Sequence, residues 1–304
     1  MNHALLLLTC LLAAPALAKV QVVATITDLG SLAAEAGGDL VEVTTLARST
    51  QDPHFVDARH SLVLGLSKAD LLVHVGMEME TGWLPTLLTS SRNGRIQVGA
   101  PGNLNCATLI QPLEVPAEKI ERAMGDIHPG GNPHYTKDPR NAVPLVRGMA
   151  ARLAAVDPDH AATYQQNAAR FEARLREKLS GWEAALRPFR GTTVITFHRS
   201  WSYLSAWAGF EQVAFMEPKP GLPPSAQHVA QVLITARARK VPLVLQEDWY
   251  SAQASELVAQ KSGARLVRVP GMVPEGQGYL DYVDRLVAAV TAALPAAAPP
   301  AAAR

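Results

Sequence analysis

Short β-branched runs alternate with segments of helical period along this chain, and that alternation constrains its fold most. Residues 20–26, 41–46 and 71–75 in the first half read as buried strands, as do 194–197, 213–216, 243–246 and 266–269 in the second. Residues 28–36, 61–69 and 83–89 read as helices, followed later by 201–208, 226–238, the stretch leading to Lys261, and 280–293. Strand–helix alternation predicts α/β architecture, with parallel sheet covered by helices. The alternation stops at 112–140, where Gly125, Pro129, Gly130, Gly131, Pro133 and Pro139 mark a loop. A helix over about 142–155 follows, and Asp157-Pro158-Asp159 caps the next. In that next helix Tyr164, Ala168, Phe171, Leu175, Leu179, Trp182 and Leu186 form one apolar stripe at spacings of three and four. About 30 residues at 1.5 Å each give roughly 45 Å. A helix of that length can span two lobes, although an ordinary long packing helix carries the same pattern.

The 304 residues suffice for one large domain or two of ordinary size, and the 48% hydrophobic content supports a full core. A net charge of +1, with no run of Lys and Arg, argues against a nucleic-acid footprint. The first 17 residues are almost wholly apolar, and Ala16-Leu17-Ala18 forms a small-x-small cleavage site. The segment is short for a membrane span and reads as a cleavable export signal, with the mature chain starting near Lys19. It carries His3 but no Lys or Arg, and a lipid anchor at Cys10 would follow an ill-fitting Thr9. Cys10 leaves with the signal, so Cys106 remains alone. That excludes a disulfide framework and a cysteine-based zinc site within one mature chain. Any metal is therefore held by His, Asp or Glu.

Asp52-Pro53-His54-Phe55 and Asn132-Pro133-His134-Tyr135 each set a histidine beside a proline in a polar loop. His198 directly follows the strand 194–197, and Glu247 directly follows 243–246. Parallel sheets bind ligands outside the carboxyl ends of their strands. His54, His134, His198 and Glu247 can thus converge in one crevice between two α/β lobes. Three imidazoles and a carboxylate suit zinc, and the carboxylate leaves manganese possible. Each residue also has an ordinary reading: a solvated loop histidine, a common Asp-Pro-His turn, or a helix cap at Glu247. His128, in Asp126-Ile127-His128-Pro129, is a candidate accessory ligand. His74 reads as a core residue, while His60, His160 and His228 read as solvated helix-face residues. Glu78 and Glu80 read as loop-fixing groups, and His74, Glu78 and Glu80 form a weaker alternative cluster. The chain has no His-Glu-x-x-His, Gly-x-Ser-x-Gly or phosphate-binding Gly-rich loop.

These segments resemble the zinc/manganese solute-binding receptors of bacterial ABC importers, over essentially the whole mature chain. The resemblance rests on Asp52-Pro53-His54, Ala69-Asp70-Leu71-Leu72-Val73 with Gly76 and Glu80, Asn132-Pro133-His134-Tyr135 with Asp138-Pro139, and Phe197-His198-Arg199-Ser200-Trp201-Ser202-Tyr203-Leu204. It implies two lobes, each a parallel sheet flanked by helices, joined by one long rigid backbone helix that limits closure to small movements. The expected organisation is a signal peptide at 1–18, a first lobe at 19–145, a helical linker at 146–188, a second lobe at 189–293 and a disordered Ala/Pro-rich tail at 294–304. The resemblance assigns His54, His134 and His198 as metal ligands. It implies a monomeric periplasmic receptor without enzymatic activity, passing zinc, or less readily manganese, to a membrane permease with its ATPase. A metal-dependent hydrolase, a metal chaperone or an adhesin on the same scaffold are the alternatives.

The chain departs from the family pattern twice. Many members place an Asp ligand after the last strand, but here 266–269 runs into Pro270-Gly271-Met272, with no carboxylate before Glu275. Glu247 is the substitute chosen here, with Glu275, Asp248 or water as alternatives. Zinc receptors also often carry a long His/Asp-rich loop before the second histidine, where this chain has only Asp126 and His128.

Overall fold

The computed structural model describes residues 18–117 and 128–295. The signal segment up to residue 17, Asp126 and most of the Ala/Pro-rich tail lie outside the described residues. The first half builds β1 (Val20–Ala24), α1 (Thr27–Gly37), β2 (Val41–Thr45), α2 (His60–Lys68), β3 (Leu71–His74), α3 (Leu84–Ser91) and β4 (Asn103–Asn105). Two helices follow, α4 (Ala142–Val156) and α5 (Ala161–Leu186). The second half builds β5 (Thr193–Thr196), α6 (Ser202–Ala208), β6 (Glu211–Phe215), α7 (Ala226–Ala238), β7 (Leu243–Glu247), α8 (Gln253–Ser262), β8 (Arg265–Val269) and α9 (Tyr279–Ala293).

The strands form two separate four-stranded sheets, ordered β2-β1-β3-β4 and β6-β5-β7-β8. All pairings are parallel; Val22 pairs with Val43 on one side and Leu71 on the other. In the second sheet Val194 pairs with Gln212 and Leu243. Each lobe therefore opens on a central strand and winds first to one side, then to the other. That places a topological switch point at the carboxyl ends of β1 and β3, and another at those of β5 and β7.

The apolar stripe expected beyond Asp157 is α5, 26 residues long and so about 39 Å. Six of its seven stripe residues are buried, and Leu179 is half-buried. The helix packs against α1 and α4 of the first lobe and against α9 of the second. One continuous core runs from the first sheet through α4 and α5 into α6 and α9, while a smaller one lies between the second sheet, α7 and α8. Strand β4 escaped the sequence reading because Asn103-Leu104-Asn105 is too short and polar to show a period.

The chain end is tied back to the first lobe by buried polar contacts. Lys137 pairs with Asp28 at 3.0 Å, and the other Asp28 oxygen accepts the Val273 amide at 3.2 Å. The Tyr279 hydroxyl donates to the Thr136 carbonyl at 2.6 Å, and its amide donates to Ser31 Oγ at 2.9 Å. These contacts pack the segment after β8 against the loop that carries His134.

Candidate metal centre

The two Asx-Pro-His motifs use one local device twice. Asp52 Oδ1 accepts the His54 amide at 3.0 Å, and Asn132 Oδ1 accepts the His134 amide at 2.9 Å. An Asx side chain that captures the backbone two residues on closes a turn, and the intervening proline fixes its entry. The first turn is pinned by Trp83, whose indole N–H donates to the Pro53 carbonyl at 3.0 Å. The second is held by Asn132 Nδ2, which donates to Glu114 and to the Arg199 carbonyl, both at 2.9 Å. His198 needs no turn, because it leaves β5 at its carboxyl end.

The three histidines meet. One ligand atom from each of His54, His134 and His198 lies within 4.8 Å of the others. They are 8%, 8% and 5% exposed, so the site is closed from bulk water. Ring centres are 5.2 Å apart for His54–His134, 5.3 Å for His54–His198 and 5.2 Å for His134–His198. Imidazoles bound at about 2.1 Å hold their ring centres about 3.2 Å from a metal, so a tetrahedral angle separates them by about 5.2 Å. The observed triangle already has the dimensions of three corners of a tetrahedral site.

Carboxylates orient two of these rings. Asp52 Oδ1 lies 2.8 Å from His54 Nδ1, and Glu217 Oε2 lies 2.6 Å from His198 Nδ1. Each bond places the ring proton on Nδ1 and leaves the Nε2 lone pair for a ligand. His134 Nε2 is buried with no hydrogen-bond partner. Burial would raise the Asp52 pKa, but hydrogen bonds and charge from His54 outweigh it and hold the group at about 2. Burial, reinforced by the neighbouring histidines, drives His134 well below the usual histidine range. For His198 burial pulls down, yet the Glu217 hydrogen bond and charge win and raise it.

Glu247 is the last residue of β7, wholly buried, and both its oxygens lack hydrogen-bond partners. Ser200 and Trp201 lie close enough to favour its charged form without reaching hydrogen-bond geometry. Burial raises its pKa, partly offset by His198. Its carboxylate nevertheless stands outside the tight histidine triad. Glu275 is exposed, and Asp248 is half-buried at the strand end. Glu80 accepts from Thr25 Oγ1 and from the Val75 and Gly76 amides, fixing the turn after β3. Glu78 accepts the Gly130 amide. His74, Glu78 and Glu80 form no metal-sized group among the described residues. His160 and His228, read as solvated, bond instead to Asp157 and the Phe215 carbonyl.

Two contributors went unnoticed in the sequence. Glu217 follows the apolar run of β6, a strand-end carboxylate whose position was the available signal. Tyr250 has no such mark; its hydroxyl donates to Asp52 Oδ2 at 2.9 Å across the crevice, while its ring stacks on Phe197 with centres 4.3 Å apart.

Comparison with known proteins finds a matching family and relatives. A family model described as zinc-uptake complex component A, periplasmic (ZnuA) matches residues 22–293. The zinc-binding lipoprotein AdcA of Streptococcus pneumoniae is 24% identical over 86% of this chain, which spans only 52% of that relative. The high-affinity zinc uptake system protein ZnuA of Bacillus subtilis is 24% identical, covering 88% of this chain and 85% of its own length. The iron-binding protein YfeA of Yersinia pestis is 26% identical, covering 81% and 75%. Among solved structures, a crystal structure of ZnuA superposes with a TM-score of 0.77 at 25% identity, over 90% of this chain and 99% of that one.

Proposed function

The chain belongs to the ZnuA family of periplasmic zinc-uptake components, and on that footing we propose that it is an exported receptor for zinc. It takes up the ion between its lobes and hands it to the permease and ATPase of an ABC importer. It works as a monomer, with the first lobe at 19–145, the linker at 146–188 and the second lobe at 189–293. Relatives named for zinc uptake support the cargo. The carrying observation is the buried triad of His54, His134 and His198 at tetrahedral spacing.

In this reading the three Nε2 atoms are ligands and Glu247 is the carboxylate of the site. Zinc brings two positive charges into a buried crevice, and such charge must be compensated. Asp52 behind His54, Glu217 behind His198 and Glu247 beside His198 supply that compensation. Nitrogen-rich ligation suits zinc, while manganese, which prefers oxygen donors, is bound more weakly. Isothermal titration with a competing chelator tests this. The wild type takes up one tightly held zinc per chain, and His54→Ala, His134→Ala and His198→Ala each weaken it by 100-fold or more. Unchanged zinc affinity in all three variants overturns the assignment.

A further inference from the structure

We propose that Tyr250 is a positioning residue of the zinc site, a latch by which the second lobe holds the first lobe's His54 through Asp52. The inference rests on the receptor reading above. It adds a residue that does not touch the metal and governs how fast the ion leaves.

Asp52 is bonded through both of its oxygens. Oδ1 accepts the His54 amide at 3.0 Å and lies 2.8 Å from the His54 ring nitrogen Nδ1. Oδ2 accepts the Tyr250 hydroxyl at 2.9 Å. Asp52 follows β2 in the first lobe and Tyr250 follows β7 in the second, 198 residues apart. Burial, with the charges of Asp52, Glu247 and Glu217, raises the Tyr250 pKa, so the hydroxyl keeps its proton and is the donor. A hydroxyl bonded to a carboxylate is charge-assisted and stronger than a bond between neutral groups.

Tyr250 is fixed within its own lobe before it reaches across. Its ring stacks on Phe197, with centres 4.3 Å apart and planes 16° from parallel. Phe197 directly precedes His198, so the latch rests on the strand end that carries the second lobe's histidine. The side-chain amide of wholly buried Gln246 donates to the Tyr250 carbonyl at 3.0 Å. His54 also has support from its own half of the chain. His128 stacks on its ring with centres 5.4 Å apart, outside the triad. Tyr250, acting through Asp52, adds support from the opposite lobe. Asp52 and Glu217, the carboxylates behind two of the rings, line one pocket with Phe197 and Tyr250, so the bond crosses the crevice where the lobes face each other. For the lobes to part there, this bond must break, and its loss loosens the carboxylate that orients His54. An ion arriving at an open crevice meets no latch, whereas an ion leaving a closed one must wait for it to break. Tyr250 therefore acts on release rather than on capture.

Stopped-flow measurement of zinc capture, and of zinc release to an excess of chelator, tests this. Tyr250→Phe keeps the ring on Phe197 and removes only the hydroxyl. We expect release about 10-fold faster, the order expected for one hydrogen bond to a charged group, with the capture rate changed by less than about twofold. A Tyr250 that serves only as packing predicts no change in this variant. In an Asp52→Ala background, where the latch has nothing to hold, Tyr250→Phe should add less than about twofold to the release rate. Unchanged release in Tyr250→Phe, capture slowed as much as release is hastened, or an undiminished effect in the Asp52→Ala background each overturns the proposal. In those cases zinc binding still fails in His134→Ala, so the receptor reading stands. If zinc binding survives in His134→Ala, the receptor site itself is wrong.

Discussion

Two of the three histidines of the triad, His54 and His198, are rings whose tautomer is set by the carboxylate behind them. Glu217 is the clearest case. Its bond to His198 Nδ1 at 2.6 Å fixes the tautomer and raises the histidine's pKa. A raised pKa means the proton stays on His198 to higher pH than on an ordinary histidine, near ~6.5. Zinc must displace that proton, so affinity falls on acidification, beginning above the ordinary histidine range. His134, driven well below that range, stays neutral and adds no proton competition there. Glu217→Gln removes the charge and leaves only a neutral amide oxygen to accept from His198 Nδ1. Chelator competition from pH 5.5 to 8 should then show a drop of about 10- to 100-fold at neutral pH, with the onset of proton competition moved to lower pH. A pH profile identical to the wild type would mean that Glu217 does not act on the ligand ring.

At the scale of elements, α5 carries the mechanical argument. Phe171 and Leu175 are fully buried in its apolar stripe, the helix packs on α1 and α4, and Trp182 donates to Asp284 of α9 at 2.8 Å. Phe171→Ala should cost about 3–5 kcal/mol in urea unfolding; a cost below about 1 kcal/mol would show that the helix is not held by its stripe. This helix was legible in the sequence because seven apolar residues at three-and-four spacing admit few other readings. All the strands but β4 were legible too, as β-branched runs between helices, and so were His54, His134 and His198 as strand-end or turn residues. The fourth donor was not. Whether Glu247 falls inside or outside the histidine triad depends on side-chain placement of a few ångströms, which spacing along the chain does not encode. Glu217 and Tyr250 were missed for the same reason. Each acts through a contact distant in sequence, 19 residues for Glu217 with His198 and 198 for Tyr250 with Asp52.

Over the whole molecule, two parallel-sheet lobes bring their switch points to one crevice and are tied together on several sides. The α5 helix, the Asp28–Lys137 pair with its bond to Val273, and the return of Tyr279 onto Ser31 and Thr136 tie the two halves together. At the crevice itself, Asp52 bonds His54 and Tyr250 together, so a triad histidine of one lobe and an aromatic of the other share a carboxylate. The central claim, that both lobes build one zinc site, is tested most directly by anomalous diffraction at the zinc edge from crystals grown with one equivalent of zinc. We expect a single strong peak about 2.0–2.1 Å from Nε2 of His54, His134 and His198. A peak elsewhere, with these three nitrogens unbound, would contradict the account.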